Sequence, residues 1–261
     1  IRYLMGYNNS FLEKLYQKAL LPQEKGNDVV LTIDFELQQY ITNVMDKYKG
    51  SGVVLDVDTG EILAMVSQPT YNPNQLNDKP KGDSLYNRAT DGLYPPGSVF
   101  KIITAVGALE NLEGITEREF QCDGVLNIDG DTIPCYKGEK HGNINLNQAM
   151  AYSCNVVFAE VGMELGRDYL LKTAENFGFN QDFLFKDLKV VASRIPLKSN
   201  ESKGKLGWTS IGQADVLATP MHMAMIGAAI ANDGVMMEPR LLQKVIGRDG
   251  KILEEFKPRF F

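Results

Sequence analysis

The order of apolar and polar residues predicts alternating strands and helices along the chain. VVLTI at 29–33 is typical of a strand. Apolar residues then recur at helical spacing through 34–50, with Asp34 suited to the N-cap and Gly50 to the stop. The recurring apolar residues are Leu37, Ile41, Val44, Met45 and Tyr48. We therefore expect this helix to lay one apolar face on a sheet.

Two hairpins and a long loop are also predicted. Residues 52–67 contain two runs of strand-forming residues around the turn residues 58–61, and 235–256 resembles the start of a second hairpin with its turn at 248–250. Residues 68–97 are rich in Pro, Asn, Asp and Gly, and a loop of this length inside a compact domain usually has a function.

Further helices are predicted in the centre and near the end of the chain. VFKIITAVGALEN is apolar enough for a buried helix, and short β-like runs at 112–147 lead to two short helices around the triplet SCN at 153–155. Another helix is predicted at 167–177, and a buried one opens with Pro220. Since His222 lies within that last helix, we expect it to be a hydrogen-bonded core histidine.

Composition narrows the class of protein. With 261 residues, 44% of them hydrophobic, the chain can form one sizeable domain or one domain with an appendage. The net charge of -6 and the lack of a Lys/Arg run argue against a nucleic-acid partner. The longest apolar stretches are shorter than the about 20 residues that span a bilayer, so we interpret them as core helices.

The N-terminus carries no signal peptide, and its first residue is Ile1 rather than Met. We therefore expect a fragment of a longer protein, with any membrane anchor upstream. Residues 1–28 resemble the end of a non-catalytic N-terminal region or linker, and the folded domain is expected at 29–261.

The stretch YPPGSVFK at 94–101 carries the first candidate chemistry. If a helix starts at the serine, Ser98 and Lys101 are an i,i+3 pair on one face, and Gly97 allows the sharp turn into the helix. A buried lysine has a lowered pKa, and its neutral amine can take a proton from a serine hydroxyl. A capping serine beside an exposed lysine is the alternative, and it is the commoner outcome for such a short motif on its own.

The triplet SCN at 153–155 offers a second polar group for the same site. In a Ser-x-Asn triplet, the serine can relay a proton while the asparagine amide binds a substrate carbonyl. On its own the triplet would be interpreted as a helix-capping pair. Ser-x-x-Lys followed by Ser-x-Asn, however, is the motif order of the penicillin-recognising serine enzymes.

The chain resembles the transpeptidase domain of class B penicillin-binding proteins well beyond these two motifs. Its landmarks appear in the family's order from residue 29 to residue 239. They are LTIDFELQ, SGVVLDVDTGEILAMVSQP, the NRA at 87–89, PPGSVFK, HGNINLNQAMAYSCN, and IGQADVLATPMHMA followed by IANDGVMMEP. The resemblance implies an α+β fold, with an antiparallel sheet flanked by helices. An all-helical part would carry the Ser98 helix and SCN, and the catalytic cleft would lie at the junction.

The resemblance also implies a DD-transpeptidase that cross-links peptidoglycan stem peptides ending in D-Ala-D-Ala and is acylated by β-lactams. Ser98 would be the nucleophile, Lys101 its general base and Ser153 a proton relay to the leaving group. Substrate binding would fall to Asn155, with Gly212-Gln213 supporting the site from behind. The backbone N–H of Ser98 would donate into the oxyanion hole.

No cofactor for catalysis is implied. The implied partners are the stem peptide, β-lactams and a lipid-linked glycan polymerase, on the extracytoplasmic side of a bacterial membrane. Two other classes stay open, a β-lactam sensor or binding module that acylates without turnover and a serine β-lactamase that releases the acyl group quickly. The LTIDFELQ segment and the N-terminal remnant favour the transpeptidase.

The family's third motif, Lys-Thr-Gly, is not found in the sequence. KGKLG at 203–207 lies before IGQ, in the wrong place, and RDGK at 248–251 has the composition of a turn. A chain truncated before the motif and a natural protein without it are the two explanations, and we favour truncation. One oxyanion donor is worth about 10²–10³ in rate, so we expect an impaired enzyme from these residues alone.

Cys122, Cys135 and His141 lie close together in a loop-rich segment just before SCN. They can supply three ligands to a structural zinc, with Asp123 or Cys154 as the fourth. A Cys122–Cys135 disulfide and free thiols are equally open. His141 can also be a structural residue, because His-Gly before the Ser-x-Asn segment is common in the family.

Overall fold

The computed structural model describes residues 26–75 and 82–261, and it confirms an α+β fold. Strands β1–β9 span Asp28–Leu31, Gly50–Leu55, Ile62–Gln68, Glu119–Cys122, Val125–Ile128, Asp131–Pro134, Gly142–Asn145, Leu242–Ile246 and Ile252–Glu255. Helices α1–α6 span Phe35–Met45, Lys101–Asn111, Leu146–Ala151, Asn155–Asn176, Lys203–Ser210 and Pro220–Ala231. None of the helices in these two ranges is long and apolar enough to cross a membrane.

The chain divides into two compact units. The first comprises the described residues up to Leu85 together with Leu184–Lys189 and Ala224–Phe261, and the second comprises Tyr86–Phe183 and Val190–Met223. The tail predicted at 1–28 falls almost wholly outside the described residues, so the boundary at residue 29 stays a prediction.

The first unit contains both predicted hairpins. Strands β2 and β3 pair antiparallel around a turn in which the Asp56 carboxylate accepts the backbone N–H of Thr59 at 2.9 Å. Strands β8 and β9 form the second hairpin, and β1 completes a three-stranded antiparallel sheet in the order β1-β8-β9. Along β3, buried and half-buried residues alternate, which is the pattern of a strand with one face in a core.

Helix α1 is capped as predicted, since the Asp34 carboxylate accepts the backbone N–H of Leu37 at 3.0 Å. The helix is held to β3 by the Gln38 side chain, which bonds both the N–H and the C=O of Met65 at 2.8 and 2.9 Å. An amide side chain that pairs with a backbone in this way extends the strand's hydrogen bonding into the helix.

The face of α1 that packs on β3 is only half-buried, and it is narrower than the apolar pattern predicts. Val44 and Tyr48 are 56% and 69% exposed, and the expectation that they lie on the sheet is wrong. The helix ends at Met45, so Tyr48 lies beyond it, and Val44 falls to one side of the stripe formed by Ile41 and Met45. Gly50 is the first residue of β2 and not the cap of the helix.

The second unit combines helices α2–α5 with two small antiparallel sheets, β4-β7 and β5-β6. The short β-like runs at 112–147 account for these strands, so the part that carries Ser98 is mainly helical and not wholly so. Ser153 and Cys154 lie between α3 and α4, and Asn155 is the first residue of α4, in agreement with the predicted position of SCN. The helix predicted at 167–177 is the second part of α4, which the non-helical Gly166, at a φ of 80°, divides from the first part.

Small residues bring three helices of the second unit into close contact. A Cβ on Gly162 of α4 would overlap the Ser210 hydroxyl of α5. The Thr104 hydroxyl of α2 donates to the Ser210 carbonyl at 2.7 Å, between two fully buried residues. Since α2 begins at Lys101 and α4 begins at Asn155, this packing fixes the distance between two candidate site residues.

His222 is a hydrogen-bonded core histidine, as expected. It is fully buried, with Nε2 2.7 Å from the Phe177 carbonyl and Nδ1 2.7 Å from the Ser193 hydroxyl. Phe179 and Phe183 pack against its ring, with centroids 4.8 and 4.9 Å away.

Candidate active site

Ser98 lies in a tight 3-10 turn, Gly97–Phe100, that leads into α2. Gly97 has a φ of 58°, in the left-handed region that favours glycine, and its N–H donates to the Gly212 carbonyl at 2.9 Å. The α-helix itself begins at Lys101, one turn later than the sequence suggests, because the 3-10 turn comes first. Ser98 remains exposed to solvent, as a nucleophile requires.

The Lys101 amine is the centre of the site. Lys101 is 0% exposed, which excludes the interpretation of a solvated lysine. Its Nζ lies 2.6 Å from the Ser153 carbonyl, 2.7 Å from Asn155 Oδ1, 3.0 Å from Ser153 Oγ and 3.3 Å from Ser98 Oγ. The structure therefore brings together four residues that the sequence singled out.

The groups around Lys101 can all be satisfied by the neutral form of its amine. Two of the four acceptors around Lys101 are carbonyl oxygens, which can only accept a hydrogen bond. A neutral amine has two N–H donors and one lone pair, so it can satisfy both carbonyls and still offer its lone pair to a serine hydroxyl. Burial away from water lowers the pKa of Lys101 from its ordinary 10.5 to about 8, which makes the neutral form accessible near neutral pH.

Ser153 has the backbone of a helix end that glycine usually provides. It follows α3 with a φ of 53°, and its N–H donates to the Met150 carbonyl at 3.0 Å. A side chain in this left-handed conformation costs about 1–3 kcal/mol. The serine at this position thus exchanges stability for a hydroxyl and a carbonyl that both face Lys101.

Asn155 is held at both ends of its amide. Its Oδ1 accepts from Lys101, and its Nδ2 donates to the Pro134 carbonyl of β6 at 2.8 Å. The amide therefore has one orientation, with one Nδ2 hydrogen left for a ligand. Sequence reasoning missed Pro134, because a backbone carbonyl has no signature in a sequence.

Gly212 supports the site more directly than Gln213. It has a φ of 72°, and a Cβ there would overlap the carbonyl oxygen of Gly97. The Gln213 side chain is exposed, and its Nε2 lies 3.6 Å from the position that a Cβ would take on Gly97. Gln213 thus lies beside the turn that holds Ser98, at the edge of the site.

A second cluster, the sulfur cluster, consists of Cys122, Cys135, His141 and Cys154. All their ligand atoms lie within 4.8 Å of one another. Cys135 Sγ is 3.6 Å from Cys122 Sγ and 3.7 Å from Cys154 Sγ, and all three cysteines are free. The predicted alternative ligand Asp123 does not belong to it. Its carboxylate accepts a hydrogen bond from the Gln121 side chain at 3.0 Å.

The sulfur cluster is joined to the candidate catalytic site by the backbone. Cys154 lies between Ser153 and Asn155, which both bond the Lys101 amine. Cys154 is also the N-cap of α4, with its Sγ 3.5 Å from the backbone N of Val157. Ser, Thr, Asn and Asp are the preferred N-caps, so a cysteine here suggests a further use for the sulfur. Of the two residues that the sequence offered as a fourth member, Cys154 lies with Cys122, Cys135 and His141, and Asp123 does not.

Comparison with known proteins assigns residues 50–259 to the family described as penicillin binding protein transpeptidase domain. The chain is 35% identical to the peptidoglycan D,D-transpeptidase PbpA of Mycolicibacterium smegmatis, an alignment that covers 95% of this chain and 58% of the relative. The chain thus spans well under two thirds of that relative's length.

Solved structures of penicillin-binding proteins are also similar to this chain. Penicillin-binding protein A from M. tuberculosis, as its penicillin G acyl-enzyme complex, superimposes with a TM-score of 0.86 at 31% identity, over 96% of this chain and 62% of that one. The D,D-transpeptidase domain of a peptidoglycan glycosyltransferase from Eggerthella lenta gives a TM-score of 0.84 at 36% identity, over 97% and 66% of the two chains.

Proposed function

The chain belongs to the penicillin-binding protein transpeptidase domain family, and we propose that it is a serine-type DD-transpeptidase acting through an acyl-enzyme on Ser98. The observation that carries this proposal is the buried Lys101 amine, 3.3 Å from the Ser98 hydroxyl and fixed by two carbonyl oxygens. A desolvated amine that faces an exposed serine is the arrangement of a general base with its nucleophile. The substrate would be a peptidoglycan stem peptide ending in D-Ala-D-Ala.

Acylation begins with proton transfer from Ser98. The neutral Lys101 amine takes the hydroxyl proton while Oγ forms a bond to the carbonyl carbon of the penultimate D-Ala. The carbonyl oxygen becomes an oxyanion, and the N–H of Ser98, at the start of the 3-10 turn and without an acceptor among the described residues, can donate to it. The remaining Nδ2 hydrogen of Asn155 can hold a substrate carbonyl.

The intermediate then loses its leaving group. The C–N bond breaks, and the nitrogen of the terminal D-Ala takes a proton from the Lys101 ammonium through the Ser153 hydroxyl, which lies 3.0 Å from Nζ. In the second half-reaction an amine of another stem peptide attacks the Ser98 ester. A new amide forms as the bond from the acyl carbon to Ser98 Oγ breaks. The proton of the amine passes to Lys101 and from there to Ser98 Oγ.

The same chemistry makes Ser98 a target for β-lactams, whose strained amide would acylate it. By the same proposal, the domain at 29–261 works on the extracytoplasmic side of the bacterial membrane, held by an upstream segment. A lipid-linked glycan polymerase would supply the strands that it cross-links.

Intact mass spectrometry with benzylpenicillin tests the proposal, on this chain and on the complete product of its gene. We expect one adduct, absent from the Ser98→Ala variant and persistent over hours. Rapid loss of the adduct would indicate a β-lactamase. A stable adduct with no turnover of a D-Ala-D-Ala peptide would indicate a sensor. If the complete gene product forms no adduct, the proposal is wrong.

We also propose that the sulfur cluster holds a structural zinc, with Cys122, Cys135, His141 and Cys154 as ligands. Sulfur atoms bound to one tetrahedral zinc at about 2.3 Å lie about 3.8 Å apart, close to the 3.6 and 3.7 Å observed. His141 Nδ1 is 3.4 Å from Cys122 Sγ and 3.8 Å from Cys135 Sγ, which fits the fourth corner. The zinc would serve the fold, and no catalytic step requires it.

Metal analysis and cobalt substitution test the zinc site. We expect one zinc per chain, and for the cobalt form the intense thiolate charge-transfer bands of a tetrahedral sulfur site. Cys135→Ser should weaken both, whereas Glu113→Gln, in the exposed turn after α2, should not. Protein without zinc that contains a disulfide or three thiols open to modification would contradict the site.

A further inference from the structure

A groove of about 600 Å³ lies in the second unit, beside the site proposed above. It is bounded by the start of β6, by α5 and by the turn that follows α5. Its lining residues are Asp131, Ser202, Lys205, Trp208, Gln213, Ala214 and Asp215. Neither acylation nor the leaving of D-Ala uses most of these residues.

Each wall of the groove contains a residue next to the segments that position Ser98 and Asn155. On one side, Gln213 adjoins Gly97, the residue before Ser98, and the carbonyl of its neighbour Gly212 accepts the Gly97 N–H. On the other side, β6 begins at Asp131 and ends at Pro134, whose carbonyl holds the Asn155 amide. A molecule in the groove would therefore border the two segments that position Ser98 and Asn155.

The charges in the groove favour a cation. Lys205 is already compensated, because its Nζ lies 2.9 Å from Asp215 Oδ2 and 3.3 Å from Glu201 Oε1. Asp131 forms no ion pair with any of the described residues, and its carboxylate lies against Gly204, where a Cβ would overlap it. Among the lining residues, Asp131 and Asp215 give two negative charges against the one of Lys205.

Trp208 adds an aromatic surface to these carboxylates. Its indole is half-buried and packs against the core of the second unit, so it is fixed in place. An aromatic ring beside carboxylates is a site for an alkylammonium, through cation–π attraction and ion pairing together. The Lys205 ammonium lies 2.9 Å from Asp215 Oδ2, so the groove already accommodates one positively charged nitrogen.

We propose that this groove binds the acyl acceptor, a peptide with a primary amine on its side chain, and delivers that amine to the Ser98 ester. The inference rests on the transpeptidase function proposed above, which needs an amine as the second substrate. In the reaction the amine nitrogen bonds to the acyl carbon, the C–O bond to Ser98 breaks, and the amine's proton passes through Lys101 to Ser98 Oγ.

The sole tryptophan of the chain gives a direct readout of binding. We expect Nα-acetyl-lysine amide to change the Trp208 fluorescence in a saturable way, and the Asp131→Asn/Asp215→Asn double variant to weaken this binding about tenfold. Nα-acetyl-norleucine amide, which lacks the amine, should have no such effect. Equal responses to the two compounds would overturn the inference.

The functional test measures how the acyl-enzyme divides between aminolysis by the acceptor and hydrolysis by water. With a D-Ala-D-Ala peptide as donor and the lysine compound as acceptor, the double variant should lower the ratio of aminolysis to hydrolysis about tenfold. Its benzylpenicillin acylation should stay within about twofold. Glu110→Gln, at the other end of α2, provides the matched charge control.

The two proposals fail in different ways. If the complete gene product forms no benzylpenicillin adduct on Ser98, the transpeptidase function itself is wrong. If the adduct forms but the ratio is unchanged in the double variant, or falls equally in Glu110→Gln, only the acceptor groove is wrong.

Discussion

Lys101 and His222 are both buried basic side chains in the second unit, and the difference between them shows what a functional site requires. Burial lowers the pKa of each, to about 8 for Lys101 and about 4 for His222. Lys101 faces the exposed hydroxyls of Ser98 and Ser153, so its lone pair can reach a substrate. His222 is enclosed by two phenylalanines and a carbonyl. A shifted pKa alone does not distinguish them; access to a reacting group does.

Replacing Lys101 should lower the acylation rate far more than replacing His222, and this is the largest effect that we expect. Lys101→Ala should reduce the rate of acylation by benzylpenicillin by about 10²–10⁴, the usual worth of a general base. Lys101→Arg should lose as much, since arginine keeps the charge but is not deprotonated in proteins. His222→Gln should change the rate by less than about threefold. Stopped-flow acylation rates decide, and an active Lys101→Arg variant would contradict the assignment.

The turn that positions Ser98 should show the next largest effect. Gly212→Ala places a methyl group on the Gly97 carbonyl and should shift Ser98, with a loss of about 10²-fold in acylation. Gly114→Ala is the matched control, because Gly114 has a similar φ of 68° but open space around it. Equal rates in the two variants would mean that Gly212 does not position Ser98.

His222 should affect acid stability and leave the chemistry unchanged. Its pKa is about 4 in the folded chain against an ordinary 6.5, so the unfolded chain binds more protons between these values. Stability is retained above pH 6.5, falls as the pH drops and levels off below 4, a loss of about 3 kcal/mol. Urea unfolding of the wild type and His222→Gln measures this loss, and the variant should lack this part of the pH dependence.

The order of the motifs and the family resemblance predicted Ser98, Lys101, Ser153 and Asn155 as one site, and helix-start and turn residues predicted most of the local elements. The sequence overestimated the face that α1 packs on β3, because Val44 and Tyr48 satisfy the helical period but are exposed. It also left Cys154 undecided, since the sulfur cluster joins β4, β6, α4 and the loop before β7, which only the fold brings together. The Pro134 carbonyl that orients Asn155 could not be predicted, because any residue can provide it.

The most direct test of the central claim is the pH dependence of the acylation rate of Ser98 by benzylpenicillin. If the neutral Lys101 amine is the base, the rate should rise about tenfold per pH unit below pH 8 and level off above it, in the wild type and in His222→Gln alike. A rate that is constant from pH 6 to 9, or a rise that persists in Lys101→Arg, would contradict this account.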